Sequence, residues 1–583
     1  MRKFKSFYTT ALALVMTSAI IMTGCTSSKS DSKKKATTST EESSEKETEQ
    51  ETTERVLETY DEPKLTGTEV PLNIQTEENV IDDKYRNYYE IFVASFCDSD
   101  GDGMGDIQGL ISKLDYINDG DPTTDDDLGY NAIWLMPIHP SASYHKYDVM
   151  DYQDIDEAYG TLDDYKQLVE ECHKRGIDLI IDLVMNHSSV SHPWFKEAKT
   201  YLQNLPEGQQ PNAADCKYVD YYTFTTEQVN NKYYPVGSSS YYYDGEFSQM
   251  MPDLNLDNPD VRAEFEQIAK FWLDLGTDGF RLDAVKEYYS GDTEHNVDVL
   301  TWFNGYVKGV NPDAYIVGET WTGDNYEYVA SGMDSAFDFL YSQNAGMIQM
   351  VVNEAYTGEF LADCYGDSVD MLEEINPNAI FASFIGNHDI DRVTAILGYN
   401  ENKIKFAHGL MALMPGNIFE YYGDEIGTGG SGADENKRSA MRWVDDEDAE
   451  GMTTGPSGMQ KDYVINKFGS VEEQLADEGS ILNYVKKTIK LRNVFPEISR
   501  GDIDLTIQDD IEDEAIFATI RKYNDSSIIV LANTSSEEFK TVTLPRDKYG
   551  YTDIEGVVTI GEQQPYQYDD TIALPPQSIV VLK

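Results

Sequence analysis

The feature that most constrains the fold of this chain is a repeated alternation of short apolar strands with amphipathic helices. Residues 177–184 are apolar on both faces apart from Asp178 and Asp182, and residues 161–175 before them have apolar side chains at helical spacing. A strand that is apolar on both faces is typical of a parallel sheet covered by helices. Because parallel strands need long connections, this alternation predicts strand–helix units rather than hairpins.

Eight strands follow this rhythm. We predict them at residues 89–93, 131–136, 177–184, 279–283, 315–319, 335–339, 380–385 and 418–422. Helix signals lie between them: Thr161 with Asp164 resembles a capping box, Gly176 stops that helix, and Asn258 followed by Pro259 begins another. Residues 107–117 also have helical spacing. Eight such units predict an α/β fold of the TIM-barrel, (β/α)8, type.

Two segments break this rhythm and predict further domains. Residues 187–258 are polar, rich in Tyr and Gly, and too long for a simple connection, so we predict a small inserted domain after strand three. Residues 496–583 contain short alternating strands at 515–523, 527–532, 540–544 and 578–582, which predict a C-terminal antiparallel β-sandwich. The barrel would then comprise residues 81–186 and 259–495.

The N-terminal segment carries targeting signals. Basic residues at positions 2, 3 and 5 precede an apolar run at 11–22 that is short for a membrane span. The run leads to Cys25 in the sequence Ile-Met-Thr-Gly-Cys, which resembles the lipobox of bacterial lipoproteins. That resemblance implies a signal peptide at 1–25, lipidation of Cys25 and anchoring on the extracellular face of the cell membrane; a plain secretory signal is the alternative.

Residues 26–80 consist mainly of Ser, Thr, Lys and Glu, with almost no aromatic side chains. Such a segment cannot bury enough apolar surface to fold, so we predict a disordered tether between the anchor and the folded body.

The charge of the chain excludes one class of partner. Lys and Arg number 45 against 105 Asp and Glu, a formal net charge of −60. Such a surface repels nucleic-acid phosphates, so we expect no nucleic-acid binding. The 40 tyrosines fit a sugar-binding surface, although most of them should simply pack and hydrogen-bond. We expect a monomer.

The cysteines other than Cys25 show no metal-binding spacing; they are Cys97, Cys172, Cys216 and Cys364. We expect Cys97 and Cys172 to be buried thiols on barrel elements, and we assign no disulfide.

In a barrel of this type, the chemistry takes place at the carboxyl ends of the strands. The strand ends bring three carboxylates, one arginine and two histidines to a single rim: Asp283, Glu319, Asp389, Arg281, His187 and His388. Arg281 and Asp283 are two residues apart and therefore share one face of their strand. An arginine there can hold the carboxylate ionised and fix its rotamer, although the pair alone is equally compatible with a structural salt bridge.

Carboxylates on neighbouring strands suit the hydrolysis of a glycosidic bond. One attacks the anomeric carbon and another protonates the leaving oxygen, and in retaining enzymes the pair lies about 5–5.5 Å apart. A third carboxylate can stabilise the cationic transition state. Like charges this close raise the pKa of the most buried carboxyl group, which suits Glu319 as the acid.

These strand ends resemble the sequence signatures of the α-amylase family (glycoside hydrolase family 13). Residues 131–137, 251–255 and 421–425 resemble further signatures, and the match runs in the family's order from about residue 85 to residue 583. The resemblance implies a retaining enzyme acting on α-glucans. In it Asp283 matches the nucleophile, Glu319 the acid/base and Asp389 the transition-state stabiliser, while Arg281 orients Asp283.

The same resemblance implies sugar-binding residues. His187 and His388 match residues that bind hydroxyls of the sugar being cleaved, and Tyr147 matches the aromatic side chain stacked on that sugar. His145 matches a further hydroxyl ligand. Each of these side chains could instead be structural.

Lys286 matches a contact on the leaving side. One departure follows it: Glu287 stands where many α-amylases carry His, so the family's leaving-side pattern does not carry over to that position.

A second motif places acidic residues at alternate positions after the first strand. We predict a Ca²⁺ site there formed by Asp98, Asp100, Asp102, the Met104 carbonyl and Asp106. The start of this loop resembles an EF-hand, including Gly103, but position twelve is Gly109 rather than Glu, so it is not one. Similar loops in the oligo-1,6-glucosidase-like branch of the family bind a structural cation; a solvated acidic loop is the alternative.

Residues 251–255 also resemble a group intermediate between oligo-1,6-glucosidases and neopullulanases that includes lipoprotein α-amylases. With the anchor, this favours endo-hydrolysis of α-1,4-glucosidic bonds in starch, glycogen and maltooligosaccharides. The close alternatives are an α-glucosidase, an oligo-1,6-glucosidase or a neopullulanase-like enzyme on short α-glucans. A non-catalytic starch-binding lipoprotein is a remote alternative, because such relatives lose the catalytic carboxylates.

Overall fold

A computed structural model describes residues 77–321, 325–342 and 346–583. The predicted leader, Cys25 and the tether as far as residue 76 lie outside the described residues. Within the described ranges, no helix is long and apolar enough to cross a membrane.

Eight parallel strands close into a barrel, which confirms the predicted (β/α)8 fold. They are β1 Asn87–Ile91, β2 Ala132–Leu135, β3 Asp178–Leu183, β4 Gly279–Leu282, β5 Tyr315–Gly318, β6 Ser335–Asp338, β7 Ala382–Phe384 and β8 Asn417–Tyr421. β8 pairs back onto β1, with Ile418 opposite Asn87, so the sheet has no free edge. Each observed strand overlaps its prediction.

Long helices surround the barrel: Leu162–Lys174, Pro259–Asp274, Thr293–Val310, Gly358–Ile375, Glu401–Ala412 and Ile481–Val494. The capping box at Thr161 is confirmed, because its hydroxyl accepts from the Asp164 N–H and the Asp164 carboxylate accepts from the Thr161 N–H. Asn258 likewise caps the helix that begins at Pro259. Shorter helices lie at Met347–Val352, Val393–Ile396, Asp434–Lys437, Val471–Leu475 and Glu497–Arg500.

The single helix predicted at residues 107–117 is wrong in one respect, since the chain forms two short helices, Ile107–Ile111 and Leu114–Ile117. The Ser112 hydroxyl donates to the Gly109 carbonyl at 2.6 Å, and such a bond competes with the helical ladder. Lys113 then leaves the helical conformation, with φ −112° and ψ 6°.

Alternation along the strands separates an apolar layer from a polar layer inside the barrel. Ile180 and Val317 belong to a buried cluster with Tyr88, Trp134, Phe337 and Phe419. The next inward positions on the same strands are Asp182 and Glu319, because residues two apart share a face. Polar side chains therefore lie at the carboxyl ends of the strands, and a packed apolar layer lies beneath them inside the barrel.

Between β3 and Pro259 the chain forms the helix Pro193–Asn204 and a small antiparallel sheet. Its strands are Phe224–Thr225, Tyr233–Pro235 and Tyr242–Asp244, with the last in the middle. Isolated bridges join His187 to Asp253 and Tyr222 to Leu254. The first bridge joins the two ends of the insertion to each other, which fixes His187 where the chain leaves the end of β3.

The C-terminal region consists of two antiparallel sheets, which confirms the predicted β-sandwich. The five-stranded sheet has the order Asp502–Asp504, Ile516–Tyr523, Ser526–Asn533, Ser578–Leu582 and Ile554–Val558; the three-stranded sheet has Lys540–Thr543, Thr571–Leu574 and Tyr566–Tyr568. Leu531 and Val580 of the first sheet share one buried cluster with Val542 and Ile572 of the second. A short helix, Arg546–Tyr549, connects strands of the two sheets.

Cys97, Cys172, Cys216 and Cys364 are free thiols, and Cys97 and Cys172 are buried as predicted. Cys172 lies on the helix Leu162–Lys174. The placement of Cys97 on a barrel element is wrong, because the chain turns out of the barrel at Val93–Ser95 and Cys97 lies in the following loop.

Candidate active site

One guanidinium gathers three carboxylates at the carboxyl ends of β3, β4 and β5. Arg281 Nη1 donates to Asp182 Oδ1 at 2.7 Å and to Asp283 Oδ1 at 2.8 Å. Its Nη2 lies 2.9 Å from Glu319 Oε2. All four side chains are buried. Charge-assisted bonds of this length hold both donor and acceptor in place, so Arg281 fixes the orientation of Asp283 and Glu319 together.

The backbone around this cluster is strained. Ala284 and Trp321 have φ values of 49° and 36°, in the left-handed region that side chains other than glycine rarely adopt. The Ala284 N–H donates to Glu319 Oε2 at 2.9 Å, so the strained residue also anchors the neighbouring carboxylate. Strain of this kind costs about 1–3 kcal/mol per residue and persists where function requires the geometry.

Burial raises the pKa of Glu319, and the charges of Asp283 and Asp389 raise it further, while the Arg281 guanidinium opposes the shift. Burial likewise raises the pKa of Asp283, again opposed by Arg281. Two neighbouring carboxyl groups that share one cation release their protons in two separate steps. Between these steps the pair holds one proton, the state that a nucleophile and an acid need together.

A third carboxylate follows β7. Asp389 Oδ2 lies 3.0 Å from His388 Nε2, and Asp389 Oδ1 accepts from Arg438 Nη2 at 2.9 Å. Burial alone would raise the pKa of Asp389, but the charges of His388 and Arg438 more than offset it and hold that pKa well below its usual range. Asp389 is therefore ionised wherever Asp283 and Glu319 titrate.

A second carboxylate, that of Glu90, contacts the other ring nitrogen of His388 and keeps the ring protonated. Its Nδ1 lies 2.5 Å from Glu90 Oε1, and both groups are buried. Burial opposes the charge, but Asp389 and Glu90 outweigh it and raise the pKa of His388 to about 9. His388 is thus a cation between two carboxylates at neutral pH.

Sequence reasoning missed Glu90 and Arg438 as members of this cluster. Glu90 lies near the carboxyl end of β1 and follows Tyr88 by two positions, so the rule that found Asp283 and Glu319 also points to it. Arg438 comes from a polar loop after the short helix Asp434–Lys437, and no local pattern identifies it.

The predicted sugar-stacking residue lies between these groups. The Tyr147 hydroxyl donates to Asp182 Oδ2 at 3.1 Å and lies 2.7 Å from His388 Nε2. Its ring is stacked against that of His388 at a centroid distance of 5.7 Å. His145 lies beside it, with its Nδ1 accepting from the Tyr147 N–H at 3.1 Å. The structure therefore brings both residues to the rim.

The remaining predicted residues are also on the rim. His187 is buried and its Nε2 has no hydrogen-bond partner among the described residues, which leaves that nitrogen free for a sugar hydroxyl. Burial lowers the pKa of His187 to about 4, so the ring is neutral. Lys286 Nζ donates to the Trp321 carbonyl at 3.1 Å and lies 3.5 Å from Glu287.

The contact between Glu90 and His388 gives a testable pH effect. Replacing Glu90 by Gln removes one of the two charges that raise the pKa of His388, so that pKa should fall. We expect kcat/KM of Glu90→Gln to decline at a lower pH on the alkaline side than in the wild type. The measurement is a pH profile on soluble starch.

Glu420→Gln is the matched control for this change. Glu420 is buried and pairs with His408 Nδ1 at 3.1 Å, but it lies on the outer side of β8, away from the rim. Its pH profile should match the wild type. An unshifted alkaline limb in Glu90→Gln would mean that this limb reports another group, such as the acid Glu319, and not the charge of His388.

The acidic loop brings together part of its predicted ligand set. Oxygens of Asp98, Asp100 and Asp106 all lie within 4.8 Å of one another. The Asp102 carboxylate instead accepts from the Met104 N–H at 2.8 Å. Asp98 accepts from the backbone of Gly101 and Gly103, both at 2.7 Å. Three hard oxygen donors this close fit a divalent cation such as Ca²⁺, and Asp102 is not part of this group of three.

Comparison with known proteins agrees with this architecture. The family model described as "Alpha amylase, catalytic domain" matches residues 90–501. Alpha-amylase 3 of Dictyoglomus thermophilum is 37% identical over 473 residues, which cover 78% of this chain and 86% of that relative. An oligo-1,6-glucosidase of Parageobacillus thermoglucosidasius is 29% identical over 543 residues, covering 77% and 90%.

Among solved structures, Eubacterium rectale Amy13B superimposes with a TM-score of 0.82 at 41% identity, covering 88% of this chain and 99% of that one. The resemblance found in the sequence thus extends through the barrel and the C-terminal region. The chain therefore belongs to the α-amylase family, glycoside hydrolase family 13, and is a hydrolase of that family.

Proposed function

We propose that this protein is an α-amylase that cleaves internal α-1,4-glucosidic bonds in starch, glycogen and maltooligosaccharides with retention of anomeric configuration. The observation that carries the proposal is the shared guanidinium: Arg281 contacts Asp283 at 2.8 Å and Glu319 at 2.9 Å. Two carboxylates on one guanidinium are close neighbours. This favours the short separation of a retaining pair over the 6.5–9.5 Å typical of inverting enzymes, which must leave room for a water.

In the first step, Asp283 attacks the anomeric carbon while Glu319 gives its proton to the leaving oxygen, and a covalent glycosyl–enzyme ester forms. In the second step, Glu319 takes a proton from water as that water attacks the anomeric carbon. The ester bond to Asp283 breaks, and both carboxyl groups return to their starting protonation. Arg281 supports both steps because it holds Asp283 in the rotamer from which it attacks.

The groups around the pair stabilise positive charge on the sugar. Asp389 is ionised and fixed by His388 and Arg438, so it presents a permanent negative charge as the oxocarbenium character develops. Tyr147 offers an aromatic face to the ring, while His145, His187 and His388 offer ring nitrogens to its hydroxyls. Lys286 lies by Trp321 on the side of the leaving group.

Two observations favour an α-amylase over its close alternatives. The relative named Alpha-amylase 3 matches more closely than the relative named oligo-1,6-glucosidase, at 37% against 29% identity. Residues 251–255 also resemble the group that contains lipoprotein α-amylases. An exo-acting α-glucosidase or a neopullulanase-like enzyme would use the same carboxylates, so the test must distinguish the products.

A time course of products tests the proposal. With soluble starch, maltotriose and panose as substrates, we expect mixed maltooligosaccharides to appear early from starch, because an endo-acting enzyme cleaves bonds within the polymer. Glucose alone from the two short substrates, with starch untouched, would replace the proposal with an α-glucosidase. Rapid cleavage of panose at its α-1,6 bond would indicate an oligo-1,6-glucosidase or neopullulanase-like enzyme.

We also propose that the acidic loop holds a structural Ca²⁺ through Asp98, Asp100 and Asp106, with Asp102 and the Met104 carbonyl as the further ligands predicted from the sequence. The loop contacts the segment after β8, because Asp98 N–H donates to the Gly451 carbonyl at 3.2 Å and Thr454 N–H to the Gly103 carbonyl at 2.8 Å. A cation there would neutralise the crowded carboxylates and stabilise this contact; it takes no part in the reaction.

Removing the cation should therefore lower the melting temperature. We expect exhaustive EDTA treatment to lower the Tm by several degrees, and added Ca²⁺ to restore it. Asp98→Asn should reduce the response to both, whereas Asp126→Asn, in an acidic loop without this clustering, should respond like the wild type. An identical Tm before and after chelation would contradict the site.

For the location of the enzyme, we propose that Cys25 is lipidated and that the segment from residue 26 to residue 76 tethers a monomeric catalytic body to the outer face of the cell membrane. The predicted end of the tether at residue 80 is wrong, because the Glu78 N–H donates to the Pro122 carbonyl at 2.9 Å and the Asn79 N–H to the Asn493 carbonyl at 3.2 Å. The support is the lipobox-like sequence and the composition of the tether. An extracellular anchor suits a substrate that is too large to enter the cell.

A further inference from the structure

Two buried arginines lie where the barrel meets the C-terminal sheets, remote from the rim. Arg492 belongs to the helix Ile481–Val494 and Arg521 to the strand Ile516–Tyr523. Their exposed fractions are 2% and 1%. Both donate to the turn that follows the helix Glu401–Ala412 and leads into β8.

Among the described residues, the acceptors that Arg492 contacts are all neutral. Its Nη1 donates to the carbonyls of Ala412 at 3.0 Å and Met414 at 2.5 Å, and its Nη2 donates to the Gly416 carbonyl. Its Nε donates to Asn87 Oδ1 at 2.7 Å. Each nitrogen of Arg492 has an acceptor, but its charge has no negative partner in the part of the chain that the structure describes.

Arg521 lacks both a charged partner and one hydrogen bond. Its Nη2 donates to the Leu413 carbonyl at 3.1 Å and its Nε to Thr519 Oγ1 at 3.2 Å. Its Nη1 is buried and has no hydrogen-bond partner among the described residues. A buried cationic N–H without an acceptor is costly. Arg281, Arg392 and Arg438 each have one such nitrogen among the described residues as well, but each of them also has a carboxylate partner.

The other buried arginines show that this chain normally pairs such residues. The pairs are Arg86 with Asp178 at 2.8 Å, Arg281 with Asp182 at 2.7 Å, Arg392 with Asp424 at 3.0 Å and Arg438 with Asp389 at 2.9 Å. For Arg492 and Arg521, by contrast, no carboxylate oxygen within the described ranges comes as close as 4.0 Å. Two guanidinium charges are therefore buried without an acid.

The nearby groups do not balance these charges. The carbonyls at the end of the helix Glu401–Ala412 carry about half a negative charge. Tyr365 is near both arginines, but its hydroxyl donates to the Leu410 carbonyl at 2.9 Å, and burial keeps its pKa far above neutral. Burial lowers the pKa of Arg492 to about 9 and that of Arg521 to about 10, so both remain charged at pH 7.

We propose that a small monovalent anion of halide size, chloride in ordinary solution, binds against Arg521 Nη1 within the field of Arg492. A water molecule would satisfy the N–H but would leave two positive charges uncompensated, whereas a monovalent anion satisfies the N–H and offsets one of the two charges. The ion would join the barrel turn at 412–416 to the C-terminal sheet.

Bromide diffraction tests this site directly. Crystals of the whole protein are grown with bromide in place of chloride, and anomalous data are collected at the bromine edge. We expect an anomalous peak within hydrogen-bonding distance of Arg521 Nη1. The absence of a peak at that position, whether or not peaks lie on the surface, would overturn the proposal in favour of water.

Thermal unfolding at constant ionic strength gives a second test that needs no crystals. As sodium gluconate is replaced by sodium chloride, we expect the Tm to rise and then saturate, because the folded state alone binds the ion. Arg521→Met should lose this saturable rise, and the matched variant Arg86→Met, which breaks a paired arginine, should keep it.

A Tm that is equal in gluconate and chloride, or a saturable rise that persists in Arg521→Met, would count against the site. If Arg521→Met does not fold, the bromide measurement on the wild-type protein decides the question.

Discussion

Replacing Asp283 by Asn is expected to lower kcat on starch by roughly 10⁴-fold or more, the size of loss seen when a covalent nucleophile is removed. The amide keeps the shape of the side chain and can still accept from Arg281, but it cannot attack the anomeric carbon. Binding of starch should change little, because the hydroxyl-binding groups around Tyr147 remain. Initial rates together with binding to insoluble starch give both quantities.

Asp278→Asn is the matched control for that variant. Asp278 precedes β4 at the opposite end of the barrel, where its carboxylate accepts from the Leu179 N–H at 2.7 Å. An asparagine can accept the same bond, so activity should equal that of the wild type. Near-normal turnover in Asp283→Asn would remove Asp283 from the role of nucleophile, and loss of starch binding as well would indicate a structural role.

Replacing Glu319 by Gln is expected to lower kcat on starch by about 10²–10⁴-fold, the usual contribution of a general acid. The loss should depend on the leaving group. A substrate with an activated aryl leaving group needs little protonation, so its first step should be largely spared, and the glycosyl–enzyme should accumulate because its hydrolysis still needs a base. A burst of the aryl product in rapid-mixing kinetics would reveal this accumulation.

The pH profile of the same variant gives a second readout. Burial and neighbouring carboxylates raise the pKa of Glu319, so the wild type should lose activity as the pH rises through that pKa and the acid loses its proton. In Glu319→Gln this alkaline limb should disappear from the aryl substrate's first step. Equal losses on starch and in the first step of the aryl substrate would show that Glu319 does not act as the acid.

Much of the fold could be predicted because its signals are local. The capping box at Thr161 and Asp164, the Asn258 cap and the apolar strands each depend on residues within a few positions of one another. Alternation then decided which side chains point inward, so Asp283 and Glu319 could be placed on one rim from strand ends alone. The failures were also local: Ser112 interrupts a helix that spacing alone had joined.

The partners of the rim residues could not be predicted in the same way. Glu90 contacts His388 across 298 positions and Arg438 contacts Asp389 across 49. These contacts exist because the barrel closes and a loop after β8 folds back over the rim. They decide which groups are charged, since the pKa values of His388 and Asp389 depend on charges supplied by distant segments.

The sequence by itself determined the (β/α)8 barrel, the C-terminal sandwich and the set of carboxylates at the rim, because strand period, helix caps and strand ends are properties of neighbouring residues. The tertiary structure alone decided that one guanidinium serves three carboxylates, that Asp98, Asp100 and Asp106 form a close group without Asp102, and that Arg492 and Arg521 have no acid beside them among the described residues. The physical reason is that electrostatic energy and hydrogen bonding depend on distances in space, which only the closed fold sets.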